Sequence, residues 1–259
     1  MNRPPEILLN SGFVTDANGV LTEMVIPNNV TTQNMPSIIT TYATTINWLP
    51  SNTTTLVKFS AHNIQSGIAS GLFKGFTSLQ EVTFSSLTSY TVDKYPVNSG
   101  LFYGCTSLLR ASLPSLKTCN SIGSGGESAT WGHGMFLGCT SLIDVSLPSL
   151  ESIGEGGSNN GMFYGCSSLV NIVLPSLVII KETDGSTQNS NYGGTFCNCT
   201  GLQNVQLGST GHPVTSLLAN CFRNCTQSGL TITIYTTGGA ALSGSPWGAT
   251  NATIEYEEA

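Results

Sequence analysis

Charge is what this sequence has least of. Only 8% of its 259 residues are Asp, Glu, Lys or Arg, against about 25% in a typical soluble protein, so Ser, Thr, Asn and Gly must carry the polar surface. With eight Lys and Arg residues in all and a formal net charge of -6, there is no polybasic tract for phosphate backbones or anionic lipid. Nucleic-acid and peripheral-membrane partners are therefore not expected. No run approaches the roughly 18 apolar residues of a membrane helix, so no membrane insertion is expected either. The start of the chain has one Arg and a short apolar run, Ile7 to Leu9. That is not the charged start, long apolar stretch and small-residue cleavage site of a secretory signal.

Catalytic constellations are missing as well. His62, His133 and His212 stand apart, with no fixed spacing to an acid or a serine, and the carboxylates are scattered. The glycine-rich stretches 123–126 and 154–157 lack the lysine and following helix of a phosphate loop and read as loop flexibility. No catalytic residue and no cofactor is expected, and the chain does not read as an enzyme.

What is present is a repeat. Gly-Leu-Phe73-Lys-Gly-Phe76-Thr-Ser-Leu79 is matched by Gly-Leu-Phe102-Tyr-Gly-Cys105-Thr-Ser-Leu108 and Gly-Met-Phe136-Leu-Gly-Cys139-Thr-Ser-Leu142. Further copies are centred on Phe163 with Cys166, Phe196 with Cys199, and Phe222 with Cys225. After each leucine comes an alternating stretch: Leu79-x-x-Val82-x-Phe84, Leu108-x-x-Ala111-x-Leu113-Pro114, Leu142-x-x-Val145-x-Leu147-Pro148, Leu169-x-x-Ile172-x-Leu174-Pro175 and Leu202-x-x-Val205-x-Leu207. Period-two alternation predicts a half-buried strand, which the proline ends because it cannot donate to a ladder.

One such strand cannot make a domain, so the copies must stack as parallel rungs, each covering its neighbour. Gly71, Gly100, Gly134, Gly161, Gly194 and Asn220, two residues before each phenylalanine, suit a left-handed turn. Phenylalanine and the cysteine three residues on are expected to face inward on a short helical or 3₁₀ turn and to form core ladders.

The ends of the chain depart from the repeat, as capping units do. Leu21 to Pro27 and Leu56 to Phe59 read as degenerate rungs, and residues 31–55 are rich in Thr and Asn without an assignable pattern. Leu230 to Tyr235 reads as a strand, followed by a turn at Pro246-Trp247-Gly248 and a closing strand, with Trp247 and Tyr256 sealing the core. The expected organisation is an N-terminal capping region over 1–55, a solenoid of about six repeats over 56–235, and a C-terminal cap over 236–259. The expected fold is an α/β-type solenoid dominated by β: a right-handed superhelix with one parallel strand per repeat and short helical or 3₁₀ turns on the convex side.

Eight cysteines would ordinarily suggest disulfides or zinc. Five of them, however, share one repeat position that Phe76 fills in the first copy, which points to packing and to free thiols. Cys119, Cys197 and Cys221 lie outside that ladder. Cys197 and Cys221 are either inert thiols or a bridge across adjacent rungs. Zinc on Cys197, Cys199, Cys221, Cys225 and His212 is disfavoured because two of those thiols already serve the core, and no metal site is expected.

Phe-x-Gly-Cys-(Thr/Ser)-Ser-Leu followed by x-x-Val-x-Leu-Pro resembles the BspA-like leucine-rich repeats of bacterial surface proteins, also found in phage tail-associated proteins. Residues 56–235 carry the resemblance in six copies, and the segment from Pro246 to Ile254 is similar to the closing segment of such proteins. The resemblance implies adhesion or recognition without a shared ligand, and an extracellular, cell-surface or virion location.

Two surfaces are candidates for that role. On the sheet face, Thr83, Ser112, Ser146, Val173 and Gln206 form one outward row, and Glu81, Arg110, Asp144, Asn171 and Asn204 a second. Arg110, Asp144, Asn171 and Gln206 are the candidate contacts on a face on the order of 25 Å long. At the loop edge, insertions 88–99, 118–133, 151–160 and 178–193 enter at one point of the repeat and carry Tyr90, Tyr95, Trp131 and Tyr192 among Gly, Ser and Asn. That composition resembles adaptable paratope loops, so Tyr95, Trp131 and Tyr192 are the candidate anchors for a cell-surface glycan or protein. The alternative is a structural or assembly module of a larger particle, without an exchangeable ligand.

Overall fold

The computed structural model describes residues 12–15, 17, 21–26, 55–68, 70–92, 100–121, 134–154, 161–181, 194–217 and 220–259. Its strands, in chain order, are β1 (Gly12–Thr15), β2 (Leu21–Ile26), β3 (Lys58–Ala61), β4 (Glu81–Phe84), β5 (Ser89–Val92), β6 (Arg110–Ser112) and β7 (Thr118–Ser121). They continue as β8 (Asp144–Ser146), β9 (Ser152–Ile153), β10 (Asn171–Leu174), β11 (Ile179–Ile180), β12 (Asn204–Leu207), β13 (Thr231–Thr236) and β14 (Thr253–Glu258).

The alternating stretches form the expected rungs. β2, β3, β4, β6 and β8 pair in parallel, and β10, β12, β13 and β14 continue in a second hydrogen-bonded set. Register keeps each repeat position in line: Phe59, Val82, Ala111 and Val145 are successive partners, as are Ile172, Val205, Ile232 and Ile254. The chain is thus a β-dominated solenoid of the leucine-rich-repeat kind. At the N-terminal edge β1 runs antiparallel to β2, and at the other edge β14 lies beside β13. Trp247 is buried and Tyr256 packs half-buried against the core.

Each of four repeats also contributes a second, shorter strand that the sequence pattern does not announce. β5, β7, β9 and β11 form their own parallel sheet, with Tyr90 beside Cys119 and Cys119 beside Ile153. The signal is a leucine three residues after each main strand's last inward position, followed by one more inward side chain: Leu87 and Tyr90, Leu116 and Cys119, Leu150 and Ile153, Leu177 and Ile180, all buried. Tyr90, expected in a loop, is therefore a core residue, and Cys119 has a packing role of its own.

The third stretch of each rung is the phenylalanine turn. Instead of a helix it is a chain of reverse turns closed by 3₁₀-type bonds, such as Phe76 N to Phe73 O (3.1 Å) and Leu79 N to Phe76 O (3.1 Å). The left-handed residue expected two positions before phenylalanine is there at Gly71, Gly161, Gly194 and Asn220. A more regular one, unforeseen, lies two positions after it: Gly75, Gly104, Gly138, Gly165, Asn198 and Asn224, with φ between 62° and 74°. Its left-handed backbone prevents a continuous helix and turns its own amide toward the following rung, as in Gly75 N to Tyr103 O (2.8 Å) and Gly138 N to Tyr164 O (2.8 Å). Gly194 is further constrained, because a Cβ there would stand 2.1 Å from the Asn220 carbonyl oxygen. The turns are laddered too, through Phe102 N to Met135 O (2.8 Å), Phe136 N to Met162 O (2.9 Å) and Phe163 N to Thr195 O (2.8 Å).

Between these ladders runs the core. Phe73, Phe102, Phe136, Phe163, Phe196 and Phe222 stack with centroids 5.0–5.5 Å apart, and the planes converge from 21° to 2° by the Phe163–Phe196 step. Each such pair is worth about 0.5–1.5 kcal/mol beyond the apolar area it buries.

Candidate functional site

Cysteine is the most reactive side chain in the sequence. All eight are free and buried. At the ladder position each thiol donates to the carbonyl of the preceding rung's phenylalanine: Cys105 to Phe73 (3.0 Å), Cys139 to Phe102 (3.2 Å), Cys166 to Phe136 (3.3 Å), Cys199 to Phe163 (3.0 Å) and Cys225 to Phe196 (3.0 Å). Burial pushes Cys105 and Cys225 up to about 12 and Cys139, Cys166 and Cys199 well above the ordinary thiol value. These are neutral packing groups. Cys197 is raised by burial, an effect that a hydrogen bond from Arg223 opposes. Cys197 and Cys221, for which a bridge is one alternative in the sequence, are both free thiols. Among the described residues no three His, Cys, Asp or Glu side chains gather as metal ligands would.

One pairing departs from the sequence reading of isolated histidines: His62 Nδ1 lies 2.9 Å from Ser85 Oγ. Yet in the usual serine nucleophile the imidazole partner is itself oriented by a third group. No carboxylate is hydrogen-bonded to His62 among the described residues. The pair instead belongs to a serine ladder that ties rungs together, in which Ser86 Oγ donates to the His62 carbonyl, Ser115 Oγ to Ser85 O (2.7 Å), Ser176 Oγ to Pro148 O (2.7 Å) and Ser209 Oγ to Pro175 O (2.7 Å). This gives the Pro-Ser that follows several main strands a structural role.

On the sheet face the structure brings Arg110 and Asp144 into register on neighbouring strands, and Asn171 beside Asn204. Three of the four candidate contacts are engaged internally. Arg110 Nη1 is 3.3 Å from Glu81 Oε1, Asn171 Oδ1 accepts from Asn204 Nδ2 at 2.7 Å, and Gln206 Nε2 donates to Gly208 O at 3.3 Å. Asp144 is exposed and makes no ion pair among the described residues.

At the loop edge, Tyr95, Trp131 and Tyr192 lie outside the described residues, as do His133 and residues 31–54. The roots of the four insertions are described. The chain leaves from β5, β7, β9 and β11, which neighbour one another in one sheet, and returns at Gly100, Gly134, Gly161 and Gly194, where the turn ladder begins.

This architecture defines a leucine-rich-repeat solenoid, and comparison with known proteins gives the family. The family model for the BspA type leucine rich repeat region matches residues 18–126, 51–183 and 159–243, with six copies. The chain belongs to that family. Among solved structures it is similar to a leucine-rich repeat protein of T. pallidum, at 23% identity and a TM-score of 0.47, over 89% of this chain and 81% of that one. It is also similar to a leucine-rich repeat protein of Bacteroides ovatus, at 22% identity and a TM-score of 0.34, over 71% of this chain and 47% of that one. No curated protein sequence matches significantly. No helix among the described residues is long and apolar enough to cross a membrane.

Proposed function

We propose that this chain is a non-enzymatic recognition protein that acts at a cell or virion surface and binds a cell-surface glycan or protein, as a bacterial surface component or part of a phage tail. Membership of a repeat family associated with protein binding and adhesion supports the general role. The observation that carries the reading is the placement of the insertion roots. Four segments of varying length leave adjacent strands of one sheet and return at adjacent turns, and a stacked scaffold is the device by which variable loops make one composite surface. The segments carry Tyr95, Trp131 and Tyr192 among small polar residues, a composition suited to stacking on sugar rings or filling a partner's pocket. On this reading residues 1–55 and 236–259 close the ends of a working solenoid over 56–235.

The test is a glycan array together with whole-cell binding by the purified chain. Binding is expected, with Trp131→Ala and Tyr192→Ala each weakening it about tenfold or more, as aromatic anchors do. Absence of binding to any glycan or cell, or binding indifferent to both substitutions, contradicts the proposal. A defined homo-oligomer by light scattering with no binding favours the assembly-module alternative.

A further inference from the structure

One row of the sheet face alternates in sign. Glu23, Lys58, Glu81, Arg110 and Asp144 are successive register partners. Lys58 Nζ stands 4.0 Å from Glu23 and 3.5 Å from Glu81, and Arg110 Nη1 stands 3.3 Å from Glu81. Arg110 is turned back to the preceding rung, so the row reaches Asp144 one cation short. The next rung brings Asn171, whose carboxamide oxygen is taken by Asn204.

Three further observations fall on the same step. β8 and β10 belong to separate hydrogen-bonded sets, so the sheet is interrupted there. Val145 is only half-buried, whereas its counterparts Val82, Ala111, Ile172 and Val205 are buried. Ile143 is 47% exposed and Val173 51% exposed, two of the three large apolar side chains exposed among the described residues.

We infer that this step of the sheet face is a docking position for a protein partner that presents a lysine or arginine beside an aliphatic side chain. The inference rests on the recognition reading above and names one partner chemistry for it. The charge argues for the occupant: among the described residues Asp144 is the acid of this row that makes no ion pair, and a partner's cation extends the alternation past it. The flanking aliphatics fit the methylene stem of Lys or Arg, and excluding water from the pair strengthens it. A neutral glycan offers Asp144 no charge.

The probe is a phage-displayed random peptide library selected on the full chain, with clones re-measured on Asp144→Asn and on Ile143→Ser with Val173→Thr. All three positions are exposed, so the variants are expected to keep the wild-type circular dichroism and melting curve. The expected result is enrichment of Lys or Arg next to an aliphatic residue, with affinity falling about tenfold or more on each variant and falling with added salt on the wild type. Clones without a basic residue, or clones that bind all variants equally, overturn the docking position. So does a neutral oligosaccharide that binds there and tolerates Asp144→Asn. The cell-binding assay fails or succeeds independently, so loss of this site and loss of the recognition reading are told apart.

Discussion

A thiol packed between two phenylalanine rungs has two reasons to keep its proton: burial disfavours the thiolate, and the proton is spent on a backbone carbonyl. The donor role explains why cysteine, rather than alanine, recurs at a position of this size. Each such bond is weak, but the phenylalanine oxygen it meets is buried among rings and gains a second donor beside the turn amide. The consequence is a pH dependence with a definite sign. In the unfolded chain these thiols ionise at the ordinary value of 9.0, whereas in the folded protein Cys105 and Cys225 ionise only near 12. As pH rises the unfolded state releases its protons first, so stability is complete below about pH 9 and falls as pH climbs from 9 toward 12. Thermal unfolding across that window should show Tm falling less steeply in Cys105→Ala/Cys225→Ala than in the wild type. Parallel slopes would show that these thiols do not couple to folding.

At the scale of the element, the main strand is legible in the sequence because it is long enough for period two to show: Val82 and Phe84, or Ile172 and Leu174, sit two apart between polar residues and before a turn. The second strand is not. It offers one inward residue after a leucine, as in Leu150-Glu-Ser-Ile153, and then runs into an insertion whose length varies between copies, so alternation never accumulates. The phenylalanine turn is half legible. Phe-x-Gly is plain in the sequence, but its meaning, a left-handed residue that aims an amide at the next rung, depends on a neighbour no single repeat contains. The fifth and sixth copies, where Asn198 and Asn224 take this place, supply a test. At Gly138 φ is 74°, and a Cβ added there would meet only ordinary van der Waals contacts. Gly138→Ala should therefore cost about 1–2 kcal/mol of unfolding free energy through the backbone alone. Gly138→Asn should cost clearly less, because Asn adopts this backbone more readily. Equal losses in urea denaturation would contradict a backbone origin.

Over the whole molecule, the solenoid and its family are readable from the spacing of Phe, Cys and Leu, because stacking makes every copy report the same environment. The proposed recognition surface is less readable for the same reason: on that reading, function sits where copies differ. On the sheet face, Arg110, Asn171 and Gln206 look available in sequence, yet they bond to Glu81, Asn204 and Gly208, and the first two of these contacts depend on register across neighbouring rungs. Of the four candidates, Asp144 is left over, at the interruption between β8 and β10. The insertions remain the broader candidate, held at neighbouring roots.

Each copy is thus one rung whose phenylalanine and, from the second copy on, cysteine are committed to a continuous core, which leaves rows and insertions for the proposed recognition. The eight cysteines sample that core from Cys105 to Cys225, so thiol labelling reads the solenoid from the second copy to the sixth at once. With a maleimide at neutral pH and no reductant, the folded chain should label negligibly and the denatured chain at all eight positions, each resolved by peptide mass. Fewer than eight labels after denaturation, or prompt labelling of Cys139, Cys166 or Cys199 in the folded chain, would contradict it.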